Sequence, residues 1–393
     1  MTEAVETKDL SKSPLEAIQE RLGAKMIEHN GWSMPESYGD VLLEYAAVRE
    51  CGCGVIDLSS RGRILVSGTE AVQFLNGLIT NDMKTLAVNS WMPAAFPNVQ
   101  GRLIASVRVM RLMDEGTDKN VSPAFLIDTE AATHEKVLKT IERFTLAGDF
   151  RVKDVTGETA MLSVQGKKAT DVVRTVLGDA AAGVAANQLT QIADNTGSRD
   201  GAPANSPSPA SNQATVIRAS HTGTDGFDLV VNAERAGSLW EALQSAGACP
   251  VGYEALEILR IEAGLPCYGA DMDETNVVTE AALDDAVSYT KGCYVGQEII
   301  ARIKYRGHVA RKLTGMTFEQ AVTVAVGATV NSEDDKEVGR VTSVTYSPHL
   351  GRTIALAYLK YDFLAAGTSL RLSSADGDCR ARVSELPFVR ETA

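Results

Sequence analysis

Two segments of the sequence share one pattern, which constrains the fold more than any other feature. The segment ILVSGTEAVQFL begins at Ile64, and MLSVQGKKATDVV begins at Met161. Each has a short apolar run typical of a strand, then a glycine turn, then apolar residues at helical spacing. Two tandem copies of one strand–helix unit would account for the chain up to about residue 300. Chance similarity of two strand–helix joins is the alternative.

The predicted elements of the first half are joined by short connections. The pattern predicts helices over 40–50 and 130–145 and strands over 63–66, 103–112 and 124–127. Short connections favour an antiparallel, ferredoxin-like sheet over a doubly wound parallel one. The predicted fold class is therefore α+β, with two ferredoxin-like antiparallel α/β units.

The last eighty or so residues have a different character. From Lys312 onward, β-rich runs such as VTVAVGATV and TIALAYL are separated by Gly, Asp and Ser. Several short strands with regular turns predict a small barrel or sandwich. We therefore expect a polar tail over 1–14, a larger domain over 15–308 and a β domain over 309–393.

The segment over 181–213 differs in composition from its surroundings. It contains no aromatic residue, and its only large aliphatic residues are Val184, Leu189 and Ile192. Such a segment buries too little apolar surface to offset the entropy lost on ordering. The sequence predicts a disordered surface insertion here.

Charge and cysteine content exclude several classes of function. The chain has 38 basic and 51 acidic residues and a formal net charge of −13, so we expect no direct binding of nucleic acid. No run of about 18 apolar residues predicts a membrane span, and the polar first fourteen residues predict a cytoplasmic protein. The six cysteines form no C-x-x-C motif, so spacing predicts no metal site. Nothing in the sequence requires more than a monomer.

The segment KGCYVGQEIIARIKYRGHVARK, over 291–312, carries the densest chemical signal. It predicts a helix that begins near Gly296, with Cys293 in the loop before it and Lys291 close by. A helix N-terminus and a neighbouring ammonium both favour a reactive thiolate, and the free N–H groups could also bind a carboxylate. The alternative is an unreactive buried cysteine. Arg302 belongs to a basic cluster that is either an anion site or a solvated helix face.

Several segments resemble the aminomethyltransferase (T-protein) of the glycine cleavage system. They are NGWSMPESYGDVLLEYAAVRECGCGVIDLSSRGRILVSG from Asn30, HTGTDGFDL from His221, and ILRIEAGLPCYGADMDE from Ile258. The block K-G-C-Y-x-G-Q-E instead resembles the related YgfZ family of folate-binding proteins that assist iron–sulfur enzymes, including tRNA-modifying ones. Its residues are Lys291, Gly292, Cys293, Tyr294, Gly296, Gln297 and Glu298. The resemblance implies a three-lobed, folate-binding T-protein fold with a C-terminal β-barrel and a cavity for tetrahydrofolate.

The sequence departs from the T-protein pattern where that family has acidic residues. Ala105 and Ser106 stand where the family has a pair of aspartates, Thr224 replaces a glutamate, and Leu256 replaces an arginine. Ala or Ser cannot supply the charge or basicity of a carboxylate. These departures disfavour aminomethyl transfer and favour the YgfZ-type function.

The resemblance therefore implies a tetrahydrofolate-dependent accessory protein for iron–sulfur cluster assembly or repair, with iron–sulfur client or assembly proteins as partners. Cys293 would handle the cluster, Lys291 would stabilise its thiolate, and Arg302 would add positive charge. Tyr294, Gln297 and Glu298 would shape the loop. Folate would be bound by the matching positions Asp228, Arg260 and Glu262, together with Trp32. The alternative for Arg260 is a structural ion pair, and the alternative for Trp32 is a position in the core. The alternative functions are an aminomethyltransferase acting with a lipoyl carrier protein and a folate-binding module without chemistry.

Overall fold

The computed structural model describes residues 10–113, 122–143, 145–146, 148–193, 213–374 and 377–390. Its α-helices are α1 (Glu16–Arg21), α2 (Val41–Ala46), α3 (Ala71–Leu78), α4 (His134–Glu142), α5 (Ala169–Leu177), α6 (Asp179–Ala182), α7 (Ala236–Ser245), α8 (Tyr253–Glu262) and α9 (Gln297–Arg306). Its strands are β1 (Ser11–Lys12), β2 (Lys25–His29), β3 (Trp32–Ser37), β4 (Gly54–Asp57), β5 (Gly62–Ser67), β6 (Ser90–Pro97), β7 (Leu103–Arg111), β8 (Ala124–Thr129), β9 (Arg151–Asp154), β10 (Thr159–Gln165), β11 (Leu189–Ala193), β12 (Gln213–Arg218), β13 (Gly226–Asn232), β14 (Cys249–Val251), β15 (Arg311–Phe318), β16 (Thr329–Asn331), β17 (Glu337–Ser347), β18 (Arg352–Lys360), β19 (Ser369–Ser374) and β20 (Gly377–Ser384).

Two sheets form the larger part of the molecule. The first has the strand order β6-β7-β8-β5-β9, and all its pairs are antiparallel. The second has the order β11-β12-β13-β10-β4-β14 and is antiparallel except for β14, which runs parallel to β4. Helices α3 and α4 cover one face of the first sheet, and α5 and α7 cover one face of the second. The other faces share a core that includes Met110, Leu126, Met161 and Val230.

The repeated strand–glycine–helix pattern corresponds to two equivalent joins, β5 to α3 and β10 to α5. Gly68 and Gly166 occupy the joins with φ of +124° and +125°. A Cβ atom would lie 2.1 Å from the carbonyl oxygen of Asp149 at the first join and 2.8 Å from that of Gly52 at the second. Only glycine fits such a join, because both the backbone conformation and the close approach exclude a side chain. The matching geometry favours a true tandem repeat over chance similarity.

The C-terminal strands close into a barrel with the order β15-β18-β17-β16-β19-β20. Its interior is filled by alternating apolar side chains, among them Met316, Phe318, Val341, Leu359 and Leu372. The sequence prediction of an α+β, T-protein-like fold with a C-terminal β-barrel is confirmed.

The prediction of disorder was wrong for the start of the segment over 181–213. Ala181 and Ala182 lie in helix α6 and pack into the core of the second sheet. Leu189 begins β11, which pairs antiparallel with β12 and leaves Leu189 only 3% exposed. Pairing with an available sheet edge orders this stretch, although its composition is poor in apolar residues. Residues 194–212 lie outside the described residues.

The polar segment near the N-terminus also takes part in the fold. Ser11 and Lys12 form β1, which pairs parallel with β3, and the hydroxyl of Ser13 donates a hydrogen bond to buried Asp57. Residues 1–9 lie outside the described residues. Among the helices that the structure describes, none is long and apolar enough to cross a membrane.

Candidate functional site

A cleft lies where the end of β4, the β2–β3 hairpin, helix α8 and the segment 265–267 meet. The enclosed cavity is about 170 Å³, and the recess reaches about 960 Å³ when the open space at its mouth is included. Its apolar lining includes Met34, Ile56, Leu58, Val251 and Leu256. Its polar lining includes Arg61, Glu130, His221, Glu257 and Arg260. Apolar walls with a few convergent polar groups are typical of a ligand site.

A chain of alternating charges lies beside the cleft and joins the two sheets. Arg61 donates from Nε to Oδ1 of Asp128 over 2.7 Å, and Arg108 donates from Nε to Oδ2 of Asp128 over 2.7 Å. Arg108 also donates from Nη1 to Oδ2 of Asp228 over 2.6 Å. Nε2 of His221 lies 2.9 Å from the same Asp228 oxygen. The first sheet thus contributes Arg108 and Asp128, and the second contributes Asp228.

Asp128 and Asp228 stay ionised although both are fully buried. Burial opposes ionisation of Asp128, but Arg108 and Arg61 outweigh it and lower the pKa of Asp128 to about 2. Burial also opposes ionisation of Asp228, but His221 and Arg108 hold the pKa of Asp228 below its usual range. At neutral pH the carboxylates and guanidinium groups therefore compensate one another.

His221 is held in place by the turn between β12 and β13. Its backbone N–H donates to Oε1 of Gln165 over 3.1 Å, and the hydroxyl of Thr222 donates to the same oxygen over 3.2 Å. The hydroxyls of Thr222 and Thr224 lie 2.7 Å apart, and both residues are buried. Thr224 therefore stabilises the turn. The His221 side chain is 18% exposed and lines the cleft. The sequence predicts His221 only as part of a turn, although its seven-residue spacing to Asp228 places both residues on one predicted hairpin.

Arg260 lines the cleft, but its guanidinium is engaged on all sides. It donates to Glu257 over 2.6 Å, to Oδ2 of Asp271 over 2.6 Å and to Oγ of Ser343 over 2.8 Å. Ser343 belongs to β17 of the barrel, so Arg260 connects helix α8 to the barrel. The structural ion pair that the sequence left open is thus present.

Glu262 is fully buried and lies outside the lining of the cleft. It accepts hydrogen bonds from the hydroxyls of Tyr45 and Ser347 and forms an ion pair with Arg49 over 2.9 Å. Its predicted contact with folate is not supported, because its carboxylate is used between α2, α8 and the barrel. Trp32 is half-buried on β3 and lines a neighbouring hollow with His134 and not the cleft, so its predicted role is not supported either.

Lys291 supports helix α3. Its ammonium donates to the carbonyl oxygens of Asn76, Ile79 and Asn81 over 2.7, 2.9 and 2.6 Å. These three acceptors surround the C-terminus of α3, where carbonyl groups lack helical partners. Burial lowers the pKa of Lys291 to about 8. The observed partners of Lys291 are carbonyl oxygens, and its proposed support of a Cys293 thiolate stays a prediction.

The other residues of the 291–302 block form a loop and the start of α9. Tyr294 is buried against Leu103 and Ile300, whereas Gly292, Cys293 and Glu298 are exposed. Gly296 precedes α9 in a left-handed conformation with φ of +76°, and Gln297 and Arg302 lie in the helix. None of these residues lines the cleft. In the described part of the chain, no group of three or more Cys, His, Asp or Glu residues could hold a metal ion.

Ala105 and Ser106, the positions where the resemblance leads one to expect aspartates, face opposite sides of β7. Ala105 packs into the core beneath α3 and α4. Ser106 is half-buried on the opposite side, the side from which Arg108 reaches Asp228. Strand β7 therefore presents no carboxylate at either position.

Comparison with known proteins identifies the family. A family model described as the GCVT N-terminal domain matches residues 15–291, and one described as the glycine cleavage T-protein C-terminal barrel domain matches residues 311–390. An aminomethyltransferase of Symbiobacterium thermophilum is 33% identical over 97% of this chain and 98% of its own length. One of Shouchella clausii is 32% identical over 99% of this chain and 100% of its own length.

A solved structure gives the same fold. The crystal structure of glycine cleavage system aminomethyltransferase T from Bartonella henselae superposes with a TM-score of 0.83 at 23% identity, over 98% of this chain and 100% of that one. The expectation of a YgfZ-type accessory protein for iron–sulfur enzymes was wrong, because the full-length relatives are named aminomethyltransferase. That interpretation rested on the eight-residue block and on the missing carboxylates at Ala105 and Ser106. Since the family models span both the sheet domain and the barrel, the chain belongs to the glycine cleavage T-protein family.

Proposed function

We propose that this protein is an aminomethyltransferase that transfers a one-carbon unit to tetrahydrofolate. The observation that carries the proposal is similarity over nearly the whole chain to proteins of that name. The sequence analysis kept this function as its alternative, with a lipoyl carrier protein as the donor of the aminomethyl group.

The cleft supports this function by the chemistry of its lining. A pterin has two flat faces and a polar edge, which match apolar walls such as Leu58 and Leu256 with a few polar groups between them. Arg61 and His221 are 20% and 18% exposed, so both can reach a bound molecule. The residues present therefore fit a folate substrate in the cleft.

We expect the linked charged side chains beside the cleft to orient the substrate. They would not bind it through an unpaired charge. Both guanidinium groups at Asp128 are held by a buried carboxylate, so their positions are fixed before a ligand enters. Fixed donors lose little freedom on binding, which favours a defined substrate orientation. Because Ala105 and Ser106 supply no carboxylate, transfer in this protein needs another group to move the proton.

The test combines tetrahydrofolate titration calorimetry with an aminomethyl-transfer assay on the same preparation. We expect heat of binding, and release of ammonia and methylene-tetrahydrofolate from an aminomethyl-lipoyl carrier. Leu256→Trp should fill the cleft and weaken binding by at least about tenfold, the effect of about 1.4 kcal/mol. Leu43→Trp, at a residue 69% exposed on α2, is the matched control and should bind as the wild type does. Absence of both binding and transfer in the wild type would refute the proposal.

A further inference from the structure

His221 and Asp228 form a histidine–carboxylate pair at the wall of the cleft. Nε2 of His221 lies 2.9 Å from Oδ2 and 3.1 Å from Oδ1 of Asp228. Because Asp228 is ionised and can only accept hydrogen bonds, Nε2 must carry the proton in this pair. Nδ1, the other ring nitrogen, has no hydrogen-bond partner among the described residues, and it carries a lone pair whenever the ring is neutral.

Asp228 is suited to orient this ring. It is fully buried, it sits on a central strand of the second sheet, and Arg108 fixes its other side over 2.6 Å. A buried carboxylate that holds one imidazole nitrogen selects the tautomer and the orientation of the other nitrogen, and stabilises the ring when it takes up a proton. The arrangement therefore prepares Nδ1 for proton transfer.

The acidic groups of the cleft are engaged elsewhere. Asp57 accepts from Gln19 over 2.6 Å and from the backbone N–H of Ser59, and Glu130 accepts from the backbone N–H of Tyr268 over 3.0 Å. Glu257 is paired with Arg260. Carboxylates fixed in these ways are poorly placed to exchange a proton with a ligand.

Two other titratable side chains of the cleft are weaker candidates. Burial raises the pKa of Cys267 well above its usual range, so its thiol stays protonated and is a poor base. His29 packs against the ring of Tyr253 at 4.3 Å and has the amide of Asn30, and no carboxylate, as its hydrogen-bond partner. Among the described residues that line the cleft, His221 alone has a buried carboxylate behind its ring.

We propose that His221, oriented by Asp228, is the catalytic residue that transfers protons in this protein, in place of the carboxylate missing from β7. This inference rests on the proposed function. When the carbon bonds to two folate nitrogens, each nitrogen loses one proton, while the bonds from that carbon to the amine and to the carrier sulfur break. His221 Nδ1 accepts a proton from folate and returns it to a leaving group. One proton ends on the amine and one on the sulfur, so no oxidant or reductant is needed.

The experiment compares His221→Gln with His134→Gln. His134 is the matched control because its Nε2 lies 2.8 Å from Oδ2 of Asp154 in a second histidine–aspartate pair outside the cleft. We expect His221→Gln to lower kcat by about 100-fold or more, the contribution typical of acid–base catalysis. Its affinity for tetrahydrofolate should stay within about threefold of the wild type, which is less than about 0.7 kcal/mol. His134→Gln should keep wild-type kcat.

A second variant tests for proton transfer itself. His221→Ala leaves space beside Asp228. Imidazole added to the buffer should raise the kcat of this variant at least about tenfold, since a diffusible base can take the role of the side chain. A His221→Gln protein whose kcat stays within threefold of the wild type would overturn the inference while leaving the proposed function intact. An equal decrease of kcat in His221→Gln and His134→Gln would also overturn the inference. A wild type that binds no folate and transfers nothing would refute both.

Discussion

Replacing Arg108 by methionine should lower the free energy of unfolding more than the loss of any surface ion pair would. Met keeps much of the length of the side chain but removes the cation between Asp128 and Asp228. Asp128 retains Arg61 as its ion-pair partner, whereas Asp228 retains His221 and a hydrogen bond from the side chain of Ser163. Removing one partner of a buried ion pair costs about 3–5 kcal/mol, because it leaves a buried charge without full compensation.

The expected change in melting temperature follows from the length of the chain. An unfolding entropy of about 2.1 cal/mol/K per residue gives roughly 0.8 kcal/mol/K for 393 residues, so the loss corresponds to a drop of about 4–6 °C. The matched control is Arg174→Met, which removes a guanidinium that also contacts two aspartates, Asp171 over 2.8 Å and Asp179 over 3.2 Å. Arg174 is 48% exposed, so its loss should cost at most about 1 kcal/mol, or roughly 1 °C.

Scanning calorimetry at several pH values checks both the size and the cause of this effect. In the Arg108→Met protein, burial without the cation raises the pKa of Asp228, so the folded variant takes up a proton that the folded wild type does not. Stability depends on the difference in bound protons, and the variant therefore gains stability relative to the wild type as the pH falls from 7 toward 4. The difference in melting temperature between the wild type and the Arg108→Met protein should therefore become smaller as the pH falls from 7 to 4. A drop no larger than that of Arg174→Met, or a gap independent of pH, would contradict the reasoning.

Two further predictions concern the 291–302 block. Gly296→Ala should lower stability by more than about 2 kcal/mol, because Gly296 has φ of +76° and its Cβ would lie 2.4 Å from the carbonyl oxygen of Asn98. Gly292→Ala, where nothing lies within 4 Å, should change the melting temperature by less than about 1 °C, and equal effects in the two alanine variants would contradict this assignment. Lys291→Met should cost about 2 kcal/mol in thermal denaturation, since three hydrogen bonds to buried carbonyl groups outweigh the relief of ammonium burial. An unchanged melting temperature would show that α3 does not depend on this cap.

The parts of the fold with a local pattern could be predicted from the sequence. The strand–glycine–helix joins at Gly68 and Gly166, the helix that begins after Gly296, and the closely spaced strands after Lys312 all follow from periodicity and turn residues. The order of 181–193 could not be predicted in this way. Leu189 is fixed by pairing with β12, which is a tertiary contact that composition does not report.

The candidate site was predicted less well, because its residues come from separate segments. Arg108 and Asp128 lie in no motif. Arg61 and His221 lie in segments that were noted only for their resemblance, and Asp228 alone among these linked charged residues was singled out. The motif that was most specific in sequence, around Cys293, lies outside the lining of the cleft. The absence of carboxylates at Ala105 and Ser106 is visible in the sequence, where it disfavours the transferase without excluding it. In the proposed role of His221, a carboxylate missing from β7 is replaced in function by a side chain from the turn between β12 and β13, and sequence spacing does not reveal that exchange.

The alternating charges between the two sheets have a consequence for the evolution of the tandem repeat. The first half carries two arginines and one aspartate of the set, and the second half carries the remaining aspartate with its histidine. If the halves were expressed as separate polypeptides, one would hold a surplus cation in its apolar interface and the other an unmatched anion. Each half would therefore be poorly soluble or misassembled alone and should recover its structure only with its complement. Covalent fusion supplies the two halves in equal amounts and close to each other at every level of expression. This is a reason for the duplicated unit to persist as one polypeptide.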